Sequence, residues 1–96
     1  MITMIRSIRD KRILQILDGK CPRRFPPDLL RAAERRLKAL DKARRVEDLQ
    51  VPPSNRLERL RGDRAGIWSI RINRQWRICF CWKEDGAYDV EIVDYH

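Results

Sequence analysis

The pattern of apolar and polar positions changes once along the chain, near residue 66. Before that point, apolar residues recur at spacings of three and four, which is typical of amphipathic helices. After it, apolar and polar residues alternate, which predicts β-strands with one buried face. The pattern therefore predicts an α+β fold with two N-terminal helices followed by a small, mainly antiparallel β-sheet.

The two helices account for most of the first half of the chain. A short helix is expected to follow Asp10, a suitable N-cap, and to end at Gly19. A longer helix is expected after Asp28. Its apolar side consists of Leu30, Ala33, Leu37 and Leu40. Its other side carries a basic stripe, Arg31, Arg35, Lys38 and Lys42. This stripe is either the solvated face of the helix or an auxiliary contact for a phosphate backbone.

Two shorter segments flank these helices. Residues 4–8 can form a short strand, and residues 1–3 are expected to be a disordered lead-in, with either Met1 or Met4 as the native start. Residues 46–66 contain a Pro-Pro pair and two glycines around a short apolar pattern. They are expected to form a loop with a brief strand.

The first hairpin of the sheet has a register that its apolar residues determine. Directly opposed residues of an antiparallel pair share a face, so all apolar residues must oppose one another. A three-residue loop at 73–75 meets this condition and places Ile70 opposite Ile78. The same register places Arg71 directly opposite Arg77 on the other face.

The second hairpin follows from the same requirement. A three-residue loop at 84–86 puts Gly86 at the left-handed position that such loops need. Trp82 is then expected to oppose Tyr88, and Phe80 to oppose Val90.

Length and charge limit what the fold can do. The chain has 96 residues, with 22 Lys and Arg against 14 Asp and Glu, and a net charge of +8. This length suits one domain, residues 1–96, with a thin core and no deep cofactor pocket. A strongly basic surface favours polyanions, nucleic acid first and an anionic membrane surface second.

Other features argue against secretion, membrane insertion and metal binding. Three cysteines cannot complete a disulfide framework, and there is no leader-like segment. No apolar run approaches the ~20 residues that span a bilayer. Cys79 and Cys81 lack the spacing of a zinc site. We therefore expect a reduced, cytoplasmic protein without a membrane partner, metal or cofactor.

The opposed arginines are the main candidate for chemistry. Two arginines side by side repel each other, unless an acidic residue of the same face, Asp89 or Glu91, neutralises them or an anion lies between them. Arginine suits bidentate phosphate contact, and two guanidinium groups can stabilise a pentacoordinate phosphorus. The last residues are Asp94-Tyr95-His96, and histidine can move protons near neutral pH. The sequence thus predicts a small polyanion site.

Several stretches resemble the HigB toxins of bacterial toxin-antitoxin systems, members of the RelE/ParE superfamily. The similar stretches are residues 60–73, Leu-Arg-Gly-Asp-Arg-Ala-Gly-Ile-Trp-Ser-Ile-Arg-Ile-Asn, then residues 75–78 and 91–96. Residues 4–7 and 51–53 also match, so that the resemblance covers nearly the whole chain from Met4.

The resemblance implies a specific activity and specific partners. It implies a compact toxin domain that enters the ribosomal A site and cleaves the mRNA being translated. The cleavage is implied to proceed by attack of the ribose 2′-hydroxyl on the adjacent phosphodiester, without a metal. A cognate helix-turn-helix antitoxin, HigA-like, is implied to neutralise the toxin and to bind operator DNA within the complex.

Roles for individual residues also follow from the resemblance. Arg71 and Arg77 match the phosphate-binding, transition-state-stabilising arginines, and Arg61 matches a basic active-site residue. Asp94, Tyr95 and His96 match the functional terminus of the family. In that terminus His96 is the candidate for proton transfer and Tyr95 the candidate for base stacking.

One position departs from the pattern. Some HigB proteins carry a histidine where this chain has Glu58. The general base is therefore either Glu58 or His96. Asp94 falls on the core face in the predicted register, so we expect it to orient its neighbours rather than to touch RNA.

Two other functions compete with mRNA cleavage. One is that of a non-nucleolytic, ParE-like inhibitor of DNA gyrase, although the toxins of that branch generally lack the catalytic set found here. The other is an RNA-binding module without catalysis.

Overall fold

The computed structural model describes residues 4–60 and 66–94. Within these residues the chain is α+β, as predicted, with one main helix and a sheet of four antiparallel strands in the order β1-β2-β3-β4. The helices are α1, Arg12–Leu17, and α2, Leu30–Lys42. The strands are β1 (Glu58–Arg59), β2 (Ile67–Arg71), β3 (Trp76–Lys83) and β4 (Gly86–Asp94).

Helix α1 is only six residues long, and its first turn differs slightly from the prediction. The N-cap position is Lys11 rather than Asp10. The Asp10 carboxylate nevertheless accepts a hydrogen bond from the Arg12 amide, at 3.0 Å. Asp10, one residue before the N-cap, thus pairs with one of the amides that the start of a helix leaves without a partner.

Helix α2 follows a 3₁₀ turn at Pro27–Leu29 and buries the side that the sequence predicts. Ala33, Leu37 and Leu40 are inaccessible to solvent. On the basic stripe, the Lys38 ammonium lies 3.5 Å from the Glu34 carboxylate, one turn away. This pair neutralises only part of the stripe.

The N-terminal segment lies along β4 without forming a regular strand. Isolated parallel bridges join Ile5 to Ala87 and Ile8 to Val90. The Met4 carbonyl accepts a hydrogen bond from the Ala87 amide, at 2.7 Å. A Cβ atom on Gly86, which has φ +140°, would overlap the Met4 carbonyl. Glycine at this position therefore allows the close approach of the two backbones.

The core lies between the helices and one face of the sheet. Its fully buried members include Ile13, Ile16, Leu37, Leu40, Ile70, Ile78, Phe80 and Val90. At one end of the core, the rings of Phe25 and Trp76 meet edge to face with their centroids 5.3 Å apart. This single layer of apolar side chains fixes which face of the sheet points outwards.

The register of the first hairpin is as predicted. Ile70 pairs with Ile78, and Arg71 pairs with Arg77. The side-chain oxygen of Asn73 accepts hydrogen bonds from the amides of Gln75 and Trp76, at 2.9 and 2.7 Å. The asparagine thereby stabilises the turn locally.

The predicted register of the second hairpin is wrong beyond Cys79. A bulge shifts the ladder, so that Trp82 pairs with Ala87 rather than with Tyr88. The predicted pairing of Phe80 with Val90 falls at this shift and is absent from the ladder. The turn contains two residues rather than three, since Lys83 pairs with Gly86.

The bulge changes which residue enters the core. Asp89 adopts a left-handed conformation, with φ +53°, and supplies the extra residue on β4. Ala87 is buried in place of Tyr88. Tyr88 instead lies against Lys83, whose ammonium is 4.7 Å from the ring centroid.

The segment between α2 and β2 is irregular, as predicted. Its described part contains two 3₁₀ turns, Val46–Gln50 and Pro53–Asn55, and the two-residue strand β1. Asn55 is buried and donates a hydrogen bond to the Leu49 carbonyl, at 3.2 Å. None of the helices in the described ranges is long and apolar enough to cross a membrane.

Candidate active site

The outer face of the sheet carries a polar patch that three strands contribute. Arg71 on β2 faces Arg77 on β3, and Glu58 on β1 faces Ser69 on β2. Since opposed residues share a face, these four side chains lie on the same side of the sheet. We refer to these four residues as the polar patch.

Arg77 is the most firmly held member of the polar patch. Its Nε donates a hydrogen bond to the Ser69 hydroxyl, at 2.9 Å, and its Nη2 donates to the Arg56 carbonyl, also at 2.9 Å. The Glu58 carboxylate lies 3.8 Å from Nη2. Only 11% of the Arg77 side chain is exposed. The guanidinium group is thus fixed in position and largely removed from water.

Arg56 supplies one of these contacts through an unusual backbone conformation. The 3₁₀ turn Pro53–Asn55 ends at Arg56, which is left-handed with φ 45°. Its carbonyl is the one that accepts the hydrogen bond from Arg77. Sequence patterns do not identify this residue, because neither its conformation nor its contact with a distant strand is marked by a motif.

Arg71 differs from its neighbour across the strands. It is partly buried, and in the described part of the chain its guanidinium group has neither an ion pair nor a hydrogen bond. It lies beside a groove that is also lined by Arg36, Arg56 and Arg74. An arginine in such surroundings is available to an anionic ligand.

The acidic residues expected to neutralise the arginines have a different partner. Asp89 and Glu91 lie 3.7 and 3.9 Å from the Arg9 guanidinium. The carboxylate that approaches Arg77 belongs to Glu58. Glu58, from the β1 side, therefore compensates the charge of Arg77.

Asp94 lies at the end of β4, opposite Trp76, as the register predicts. Its side chain is exposed. The other predicted site residues, Arg61, Tyr95 and His96, lie outside the described residues. Of the predicted site, the structure therefore brings Glu58, Arg71 and Arg77 together and places Asp94 at the end of a neighbouring strand.

The strand that leads to Asp94 is anchored by the start of α1. The Ile92 amide donates to the Asp10 carboxylate, at 3.3 Å, and the Ile92 carbonyl accepts from Arg12 Nη2, at 3.2 Å. Arg12 and Asp10 also form a short salt bridge, at 2.7 Å. The Arg12 guanidinium lies 5.9 Å from the centroid of the Trp76 ring. These contacts fix the backbone two residues before Asp94.

The charge state of Asp10 reflects this arrangement. Burial alone would raise the pKa of Asp10, but the hydrogen bonds and the positive charge of Arg12 outweigh it, and the pKa lies below its ordinary value. The hydrogen bond that Arg12 donates to Asp10 raises the pKa of Arg12 more than burial lowers it. Both groups are therefore charged at neutral pH.

Metal ligands are not grouped in the described ranges. No cluster of three or more His, Cys, Asp or Glu side chains within residues 4–60 and 66–94 could hold a metal ion.

Comparison with known proteins assigns the family. The family model described as the RelE-like toxin of the type II toxin-antitoxin system HigB matches residues 6–96. The chain belongs to this HigB-like toxin family. The resemblance carried by residues 60–73 and by the final residues is thereby confirmed.

Curated relatives agree with this HigB-like assignment. Toxin HigB-1 of Vibrio cholerae serotype O1 is 40% identical over 85 residues, which cover 88% of this chain and 90% of that protein. Endoribonuclease HigB of Proteus vulgaris is 31% identical over 93 residues, which cover 97% of this chain and 100% of that protein. An uncharacterized protein of Haemophilus influenzae is 32% identical over 62 residues, covering 65% of this chain and 61% of that protein.

The anchor of β4 in this HigB-like toxin gives a stability prediction. Asp10→Asn should lower the free energy of unfolding at pH 7 by about 1–3 kcal/mol, because it removes a partly buried charge-assisted pair. A carboxyl group whose pKa is lowered by folding stabilises the folded state at pH values above its pKa in the unfolded chain, about 3.9. This contribution is lost as the pH falls through the pKa of the group in the folded protein. The difference between wild type and variant should therefore shrink below about pH 4, measured by urea unfolding. Asp18→Asn, at an exposed position, is the control. A difference in unfolding free energy between wild type and Asp10→Asn that does not change with pH would contradict the stabilising role of the Asp10 charge.

Proposed function

We propose that this chain is a toxin that inhibits translation as an endoribonuclease, cutting translated mRNA in the ribosomal A site. The observation that carries the proposal is the polar patch, in which a firmly held arginine lies beside an arginine that has no ion pair with any described residue. Membership of the HigB-like toxin family supports it. So does the name of the relative from Proteus vulgaris, Endoribonuclease HigB.

The proposed reaction needs no nucleophile from the protein. The 2′-oxygen of a ribose attacks the adjacent phosphorus, forming a new O–P bond while the bond from phosphorus to the 5′-oxygen breaks. A base accepts the proton of the 2′-hydroxyl, and an acid donates a proton to the departing 5′-oxygen. The products are a 2′,3′-cyclic phosphate and a 5′-hydroxyl. Because the nucleophile belongs to the substrate, we propose that the reaction proceeds without a metal.

The arginines are proposed to stabilise the pentacoordinate phosphorus. Arg77 suits this role because Ser69 and the Arg56 carbonyl fix its orientation before substrate binds. Arg71 adds a second positive charge directly across the strands. We propose further that Arg61 binds phosphate, that Asp94 orients its neighbours and that Tyr95 stacks on a base.

Two residues compete for the role of general base. Glu58 is supported by its position, since its carboxylate lies 3.8 Å from Arg77 and its side chain is 57% exposed. Such a carboxylate is accessible to RNA bound at the polar patch. His96 is supported by its chemistry, because imidazole exchanges protons near neutral pH.

Dependence on the ribosome fits the shape of the polar patch. The patch lies on the face of the sheet opposite the core, where the Glu58 side chain is 57% exposed, and the chain carries a net charge of +8. A basic surface of this kind binds RNA backbone with little sequence preference. We propose that the ribosome supplies the missing positioning by holding the messenger against the toxin, which implies a cytoplasmic location.

Replacing the arginines of the patch tests the proposal directly. Arg71→Ala and Arg77→Ala should each slow cleavage of mRNA on translating ribosomes by roughly 10²–10³-fold, as for loss of a transition-state donor. Arg77→Lys should recover only part of the rate, because lysine keeps the charge but loses the planar fork. Primer extension on the message measures the rate, and thermal unfolding verifies that each variant is folded.

The controls separate the competing functions. Arg45→Ala removes one exposed positive charge outside the patch and should cleave normally. Arginine variants that cut like wild type would disprove the assignment of the patch. RNA binding without any cleavage by the wild type would instead favour a binding module, and altered plasmid supercoiling would favour a gyrase inhibitor.

The identity of the base can be tested with a second pair of variants. If Glu58 is the base, Glu58→Gln should reduce the single-turnover rate about 10²–10⁴-fold, while His96→Gln has the smaller effect. If His96 is the base, the two effects should be reversed. The His96→Gln variant should then also lack the rise in cleavage rate that the wild type shows near pH 6–7. Both rates are measured across pH on programmed ribosomes. Equal and small effects would exclude both residues.

A partner protein is proposed on the basis of the family. Membership of a type II toxin-antitoxin family implies an antitoxin. We propose that it is a HigA-like helix-turn-helix protein, which also carries the toxin to operator DNA.

Growth of bacteria expressing the chain tests this partnership. Induction of the toxin alone should arrest growth, and co-expression of the neighbouring helix-turn-helix gene should restore it. The Arg77→Ala variant should be harmless without the antitoxin and serves as the matched control. Arrest that persists despite an expressed, folded antitoxin would contradict the pairing.

A further inference from the structure

A groove beside the polar patch is lined by arginines from four separate parts of the chain. It has a volume of about 420 Å³ and is lined by Arg36, Ser54, Arg56, Arg71, Ile72, Asn73 and Arg74. Arg36 comes from α2, Arg56 from the end of the 3₁₀ turn, Arg71 from β2 and Arg74 from the loop that follows it. We refer to it as the arginine groove.

The charges of the arginine groove are not compensated within the described residues. No carboxylate is among the lining residues from this part of the chain. Like charges gathered in one place oppose folding, and their mutual repulsion is relieved only by a bound anion or by solvent. The groove is thus a costly arrangement that an anionic ligand would stabilise.

Arg36 carries a buried donor that no described residue satisfies. Its Nη1 donates a long hydrogen bond to the Ala32 carbonyl, at 3.3 Å. Its Nε is buried and has no hydrogen-bond partner among the described residues. Burial, together with the charge of Arg35, lowers the pKa of Arg36 below its ordinary value. A buried N–H without a partner costs free energy unless a ligand accepts from it.

The arginine groove is continuous with the polar patch. Arg71 belongs to both, and Arg56 lines the groove while its carbonyl holds Arg77. Polar groups that suit a phosphate accompany the arginines, since Ser54 and Asn73 also line the groove. An RNA strand bound at the patch can therefore continue into the groove.

We propose that the arginine groove binds an RNA phosphodiester that flanks the one held by the polar patch. The proposal rests on the proposed endoribonuclease function and assigns Arg36 and Arg74 to substrate binding rather than to catalysis. Either the cut messenger or the RNA of the ribosome can supply this phosphate. The binding experiment separates these two sources.

The test measures binding in the absence of cleavage. The probe is a single-stranded RNA of about ten nucleotides with 2′-O-methyl riboses, which lacks the nucleophile for the proposed reaction. If the messenger supplies the phosphate, Arg36→Ala and Arg74→Ala should each weaken binding of this probe about three- to tenfold. Each should also lower the slope of log K against log salt concentration by about the amount of one phosphate contact. Arg45→Ala, which removes an exposed arginine outside the groove, is the matched control for net charge.

Ribosomes identify the source of the phosphate. If the messenger fills the groove, the variants should weaken binding to the RNA probe and to programmed ribosomes, but not to vacant ones. If ribosomal RNA fills it, binding to vacant and programmed ribosomes should weaken alike while binding to the probe is unchanged.

The outcome that overturns the proposal is distinct from failure of the proposed function. Groove variants that bind the probe and both kinds of ribosome like wild type would overturn it. Arg74 is exposed, so its variant keeps the test valid even if Arg36→Ala does not fold. A wild type that binds RNA through the groove without cutting it would refute only the endoribonuclease function.

Discussion

The antiparallel pairing of β2 with β3 is the constraint on which the site depends. Because Ile70 faces Ile78 in the core, Arg71 must face Arg77 on the outer side of the sheet. A slip of one residue between the strands would place one of the two arginines in the core and one of the two isoleucines outside. The hydrophobic effect that forms the core therefore also holds together two like charges that would separate in a free chain.

The two arginines differ in the contacts that their surroundings provide. Arg77 is enclosed by Ser69, the Arg56 carbonyl and Glu58, which offset its desolvation and fix its direction. Arg71 receives no such partner within the described residues and lies at the arginine groove. This asymmetry suits a site in which one guanidinium is preorganised and the other is left for the ligand.

Sequence patterns predicted the parts of this molecule that periodicity controls. They located α2, the first hairpin and the opposed arginines, because one buried face determines each of these. They failed at the turn end of the second hairpin, since alternation cannot reveal the extra residue that Asp89 inserts into β4. They also missed the contact of the Arg56 carbonyl and the position of Arg36 at the groove, because both arise from contacts between distant segments that carry no local signal.

The thin core explains why the site is built from the backbone as well as from side chains. A chain of 96 residues has few layers in which to support a catalytic group by packing. Here the Arg56 carbonyl orients Arg77, and the Ile92 amide and carbonyl form hydrogen bonds with Asp10 and Arg12. Backbone groups are fixed by the fold itself, so they orient side chains without further apolar volume. The same economy applies to the polar patch, where the register that buries the core also fixes the positions of Arg71 and Arg77 on the opposite face of the sheet.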